Sequence, residues 1–135
     1  MINVSIDYET EAIESRPVYP PKPVGCAIYI DGGTPRYLAW GHPTENNTTF
    51  EQARIIIKSV LDDPEHNIIC HNLPFDAAVT IEKMGLDFPW DRCGDTMLLA
   101  FLADPFGDLS LKPLCEQLLG LPPDERDAVK EWLIR

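Results

Sequence analysis

Ile2-Asn3-Val4-Ser5-Ile6-Asp7-Tyr8-Glu9-Thr10 alternates apolar and polar residues and ends in two acids. In a β-strand, residues two apart share a face. Asp7 and Glu9 therefore project together on one side, while Ile2, Val4 and Ile6 anchor the other in a core. Two hard oxygen donors at a strand end suit Mg²⁺ or Mn²⁺. The same spacing recurs in Asp63-Pro64-Glu65, but there it follows a helical pattern and contains a proline, which marks a solvated turn.

Outward from this strand, residues 10 to 23 carry Pro17, Pro20, Pro21 and Pro23, which makes a loop running past the acids. Val24 to Ile30 and Arg36 to Trp40 flank the turn Asp31-Gly32-Gly33-Thr34 and predict a β-hairpin. Thr48 and Glu51 have capping-box spacing. Phe50, Ala53, Ile56, Ile57, Val60 and Leu61 then recur at helical intervals up to Asp62-Asp63-Pro64.

Asn67 to His71 is a short buried strand, and Phe75 to Met84 a helix stopped by Gly85. A short strand near Arg92 to Gly94 precedes a helix from Thr96 to Ala103, with Asp95 as its expected N-cap. Ser110 caps another helix through Leu119, stopped by Gly120, and Pro122-Pro123 opens a last one striped with Ala128, Val129, Trp132 and Leu133. A β-meander followed by βα units predicts an α/β fold, a mixed sheet with helices on its faces.

A chain of 135 residues, 44% hydrophobic, builds one domain with a real core. It has no apolar run long enough to span a bilayer and opens directly on the strand, so a cytoplasmic protein without membrane partners is expected. Cys26, Cys70, Cys93 and Cys115 lie far apart without metal-ligand spacing, and read mainly as buried free thiols. The net charge of −11 excludes a surface that coats nucleic acid generally. It is compatible with an enzyme that grips a strand end through cations. A basic, phosphate-facing patch is expected near Arg16, Lys22 and Arg36. Trp40, Trp90 and Trp132 lack interleaved basic residues and read as core or interface.

The second informative stretch is His71-Asn72-Leu73-Pro74-Phe75-Asp76, where a strand ends, turns and starts a helix with Asp76 in its first turn. Ligand sites in open α/β sheets form at such strand ends. With this strand parallel to the first, Asp76 arrives near Asp7 and Glu9, and three clustered carboxylates call for a cation. His71 is expected beside the site, not as a ligand.

Asp7-Tyr8-Glu9-Thr10, then Asn72 with Phe75-Asp76, then Asp95-Thr96-Met97-Leu98-Leu99 and Ser110-Leu111 through Gly120 resemble, in order, the 3′-5′ exonucleases of the DnaQ-like (DEDD) group. The proofreading domains of phage-type family A DNA polymerases are the nearest likeness. The resemblance implies an RNase H-like fold, C-terminally incomplete, in a single partial exonuclease domain over residues 1–135. It implies that Asp7, Glu9 and Asp76 bind two divalent cations, Mg²⁺ or Mn²⁺, and carry the hydrolysis of the 3′-terminal phosphodiester of DNA to nucleoside monophosphates. Thr10 and Phe75 would lie against the terminal nucleotide, and Asn72 would hold the turn or the substrate.

The implied partners are a single-stranded or frayed DNA 3′ end and a polymerase domain encoded downstream, in a bacterial or phage-infected cytoplasm. The group's third motif, a Tyr or His a few residues before a fourth carboxylate, has no counterpart, and is expected beyond Arg135. Two alternatives stay open: a catalytically inactive RNase H-like module that binds nucleic acid or a protein, and an exonuclease that trims RNA.

Overall fold

The computed structural model describes residues 1–14 and 18–120. Strand β1 (Ile2–Thr10) pairs antiparallel with β2 (Pro23–Ile30) and parallel with β4 (His66–Cys70). β3 (Arg36–Ala39) adds to β2, and β5 (Cys93–Asp95) runs parallel beside β4. The sheet order is β3-β2-β1-β4-β5, which puts the acid-bearing strand at the centre. The expected meander, parallel neighbour and short fifth strand are all present.

The alternation of β1 sorts its faces as the pattern predicts: Val4, Ile6 and Tyr8 are buried, while Asp7 and Glu9 stay exposed. Ile2 departs from expectation. It is 43% exposed, at the strand's first position and outside the buried cluster. Helix α1 (Phe50–Asp62) buries Ala53, Ile57, Val60 and Leu61 in one core with Val4, Ile6, Ile28 and Ile68. A buried aliphatic side chain of this size contributes about 1.5–3 kcal/mol, so this shared face holds the helix on the sheet.

The capping box sits one residue later than its expected register. The Thr49 hydroxyl accepts from the Gln52 amide at 3.2 Å, and the Gln52 side chain accepts from the Thr49 amide at 3.3 Å. Two threonines in a row, each followed three residues later by Glu or Gln, present two registers to sequence reading. The helix begins at Phe50, which selects the second.

The other end of α1 is held by a neighbour. The Arg92 guanidinium donates to the carbonyls of Leu61 (3.1 Å), Asp63 (2.7 Å) and His66 (2.7 Å). Helix ends leave such carbonyls without intrahelical partners, so one side chain here closes α1, the Asp63 turn and the start of β4 together. Asp63 also accepts from the Glu65 amide at 2.9 Å, which makes Asp63-Pro64-Glu65 the expected turn. Arg92→Ala is expected to cost about 2–3 kcal/mol, read as a lower midpoint in urea unfolding with an unchanged slope.

After β4, α2 (Leu73–Ala78) starts two residues earlier than Phe75 and widens into a π-helical turn at Val79–Lys83. Pro74 fits the first turn, where no amide donor is required. The widening coincides with Thr80, whose hydroxyl bonds both the Asp76 carbonyl (2.8 Å) and the buried Tyr8 hydroxyl (3.0 Å). A side chain competing for a helix carbonyl loosens the regular ladder at that point. Gly85 stops the helix at φ +65°, as expected, and Arg54 donates to the Met84 and Gly85 carbonyls at 2.8 and 3.0 Å.

The compact unit just described runs from Met1 to Thr96, and a second begins at Met97. The boundary falls inside α3 (Thr96–Ala103), and the second unit includes α4 (Leu111–Leu119). Ser110 stands at the N-cap of α4, where its carbonyl accepts the first intrahelical bond from Leu114 at 3.2 Å, but its hydroxyl makes no capping bond. Gly120 takes φ +66° at the other end, the expected left-handed stop. Arg16 and the helix expected after Pro122-Pro123 lie outside the described residues. Cys26 and Cys70 are buried free thiols, and Cys93 and Cys115 are free and half-buried. No helix among the described residues is long and apolar enough to cross a membrane.

Candidate active site

β1 and β4 are parallel, so their carboxyl ends open at the same end of the sheet. The turn after β4 is made by Asn72 in the left-handed conformation (φ 66, ψ 60), which asparagine tolerates better than most residues. Its side chain makes no capping bond. The cap comes from the next strand instead: the Asp95 carboxylate accepts from the amides of Asn72 (2.9 Å) and Leu73 (3.1 Å). Asp95, the residue before α3 where an N-cap is expected, also fixes the neighbouring turn, a nonlocal role invisible to sequence spacing.

That turn aims Asp76 inward, where it is 2% exposed. Asp76 Oδ1 accepts from the Tyr8 amide at 3.1 Å, which sets the carboxylate against the backbone between Asp7 and Glu9. Burial pushes the Asp76 carboxyl up to about 7. The Tyr8 N–H opposes that shift, and the charges of Asp7 and Asp95 add to it. Burial also raises the Asp7 carboxyl, with His71 pulling it back. Burial is thus the main force holding both carboxyls toward neutrality, and at Asp76 the charge of Asp7 adds to it. The thiols of Cys26 and Cys70 are raised by burial and, secondarily, by the same Asp76 charge, so they are inert beside it.

Among the described residues, no three His, Cys, Asp or Glu side chains converge as a ready-made ligand set. The structure brings Asp7 and Asp76 into one electrostatic pair and puts Glu9 one pleat further along the same strand face. Hard carboxylate oxygens whose ionisation is suppressed chiefly by desolvation match the donor chemistry of a hard divalent cation.

The other sequence candidates occupy separate places. Phe75 is half-buried, with its ring centroid 6.3 Å from that of Tyr19, so the proline-rich loop reaches the second motif. The Thr10 hydroxyl donates to the Glu11 carbonyl at 2.9 Å. His71 Nδ1 shares a hydrogen bond with the Thr96 hydroxyl at 2.9 Å. Trp40 is partly buried against the core and donates to the Pro23 carbonyl at 3.1 Å, whereas Trp90 is exposed beside Phe88. A cleft of about 670 Å³ between β3 and α1, lined by Arg36, Tyr37, Asn47, Gln52 and Ile55 among others, includes none of these carboxylates and is not where the acids act.

A five-stranded mixed sheet in this order, with paired acids at the end of its central strand, is the RNase H-like fold of nucleases. The chain belongs to the 3′-5′ exonuclease family, whose model matches residues 1–135. Its fold is similar to the solved structure of Brucella melitensis NrnC with bound Mg²⁺, with a TM-score of 0.63 and 21% sequence identity over 88% of this chain. The chain spans about half the length of that protein, 54%. A search of curated proteins finds no match.

Proposed function

We propose that this chain is a metal-dependent 3′-5′ exonuclease domain that hydrolyses the terminal phosphodiester of a DNA 3′ end and releases nucleoside monophosphates, as the proofreading part of a DNA polymerase. The observation that carries this reading is the Asp76 carboxylate seated on the Tyr8 amide between Asp7 and Glu9, buried and electrostatically coupled to Asp7. A suppressed acid pair at the open end of a central strand is a place built to receive positive charge. Asp7, Glu9 and Asp76 would hold divalent cations, two by the family resemblance, which would activate the attacking water and stabilise the leaving oxygen.

The residues of the chain do the rest. Asp76 is held by the Tyr8 amide, and Asp7 and Glu9 share a strand face beside it, so these three carboxylates would hold the cation. Phe75 and Tyr19 offer an aromatic wall against which a terminal base packs, with Thr10 at the end of the acid-bearing strand. Asn72 keeps the turn in the conformation that aims Asp76.

A second reading rests on the lack of a closed ligand set among the described residues: a nucleic-acid-binding module without hydrolysis. Digestion of end-labelled single-stranded and 3′-recessed DNA, and of RNA of the same sequence, with Mg²⁺ or Mn²⁺ separates them. Mononucleotide release that vanishes in Asp7→Ala is the expected result. Binding of the oligonucleotides without release in any metal gives the module reading the lead, and release from RNA alone moves the substrate to the RNA-trimming alternative.

A further inference from the structure

Tyr37 on β3 and His42 in the loop after it form a built arrangement outside the acidic site. The Tyr37 hydroxyl and His42 Nε2 share a hydrogen bond of 2.6 Å, with ring centroids 5.8 Å apart. Both are held from behind. Asn46 accepts from the His42 amide at 2.9 Å and donates to its carbonyl at 2.8 Å, while Asn47 donates to the Tyr37 carbonyl at 2.7 Å and accepts from the Ala39 amide at 2.8 Å. Two asparagines thus fix a loop whose visible product is the placement of one phenol.

The phenol is aimed at the acids. Asp7, Ala27 and Tyr37 are partners across β1, β2 and β3, so all three side chains stand on the same face of the sheet. From there the ring crosses over Gly25: a Cβ at that position would lie 2.1 Å from the Tyr37 hydroxyl oxygen. Gly25 is the register partner of Glu9, and Cβ positions of directly paired residues are about 4.5–5.5 Å apart. The Tyr37 hydroxyl therefore stands no more than about 7.5 Å from Glu9 Cβ, on the side of the sheet its carboxylate occupies. Consistent with that placement, burial and then the charge of Glu9 are the leading causes that push the Tyr37 phenol up to about 12.

We propose that Tyr37, backed by His42, is the positioning residue for Glu9: its hydroxyl donates to the Glu9 carboxylate and fixes the rotamer in which Glu9 joins Asp7 and Asp76 around a divalent cation. This rests on the exonuclease reading, because it assigns a partner to one of that site's acids. A carboxylate only accepts, so the chain of bonds runs one way, from His42 Nε2–H to the Tyr37 oxygen and from the Tyr37 O–H to Glu9. Such partners of ligating carboxylates typically change metal affinity by about 10–100-fold.

The test is Mn²⁺ binding to the whole chain, followed by the EPR signal of free Mn²⁺, in the parent, Tyr37→Phe, Gly25→Ala, Glu9→Gln and, as a control on the same sheet face, Tyr29→Phe. Tyr37→Phe keeps the ring and is expected to weaken Mn²⁺ binding by about tenfold or more, with the metal-free melting temperature unchanged. Gly25→Ala retains every hydrogen-bonding group but denies the ring its place, and is expected to weaken binding in the same direction; Tyr29→Phe is expected to bind like the parent. A parent that binds Mn²⁺ and loses it in Glu9→Gln, but not in Tyr37→Phe, overturns this proposal alone. A parent that takes up no Mn²⁺ overturns the exonuclease reading and this proposal with it.

Discussion

Asp76→Asn is expected to reduce mononucleotide release by at least about a thousandfold, the loss of roughly 4 kcal/mol of transition-state stabilisation. The replacement is nearly isosteric. The amide oxygen of asparagine can still accept from the Tyr8 N–H, the bond that seats the native side chain at 3.1 Å, so the turn and the helix after it should fold as before. What disappears is the second carboxylate oxygen, exchanged for an amide N–H₂ that repels a cation. The same change removes a buried acid that Asp7 and Asp95 press toward neutrality. Activity and metal-free stability should therefore move in opposite directions, with the variant inactive and more resistant to heat at pH 8 than the parent. Initial rates on a labelled 3′ end and melting curves of the same preparations check both halves. An inactive variant that also melts lower would mean that Asp76 serves the fold.

The second large effect is on stability as a function of pH in the absence of divalent ions. In the unfolded chain the Asp76 carboxyl returns to its ordinary value of 3.8, while in the folded chain it is held near 7. Between those values the folded protein keeps a proton that the unfolded one has lost, so folding is favoured at the acid end of the window. Unfolding free energy should then fall as pH rises from about 4 to about 7, by at most about 4 kcal/mol, and level off on either side. Asp7, raised in the same direction, steepens the slope. Urea midpoints measured with a chelator across this range test the sign. Asp76→Asn should flatten the curve, and Mg²⁺ at pH 8 should raise the parent's midpoint by mass action without raising the variant's.

Much of this was legible because it follows from periods of two and of 3.6. The alternation in Ile2 to Thr10 placed Asp7 and Glu9 outside and Val4 and Ile6 inside, and the run from Phe50 to Leu61 marked the helix that shares their core. Tyr8 obeys the same alternation, but a side chain between two acids draws attention to the acids. Its buried hydroxyl and its amide turn out to organise Thr80 and Asp76.

What could not be read is nonlocal. Asp95 caps a turn on another strand, and Arg92 closes a helix that ends 30 residues earlier at Asp62. Tyr37 lies over Gly25, which the register opposes to Glu9. Each depends on which residues the sheet order makes neighbours, and no spacing within the chain encodes that. The one-residue shift of the capping box has another cause: two adjacent threonines offered equivalent local chemistry, and packing of the helix chose between them.

The bond from the Tyr8 amide to Asp76 also equips the protein with its own reporter. An amide proton directed at a carboxylate is deshielded by the negative charge and relaxes when that charge is neutralised. In a ¹⁵N-labelled sample the Tyr8 cross-peak thus records the state of Asp76 from one backbone position, in the unmodified chain and without substrate. Proton uptake and cation uptake would be followed on the same resonance.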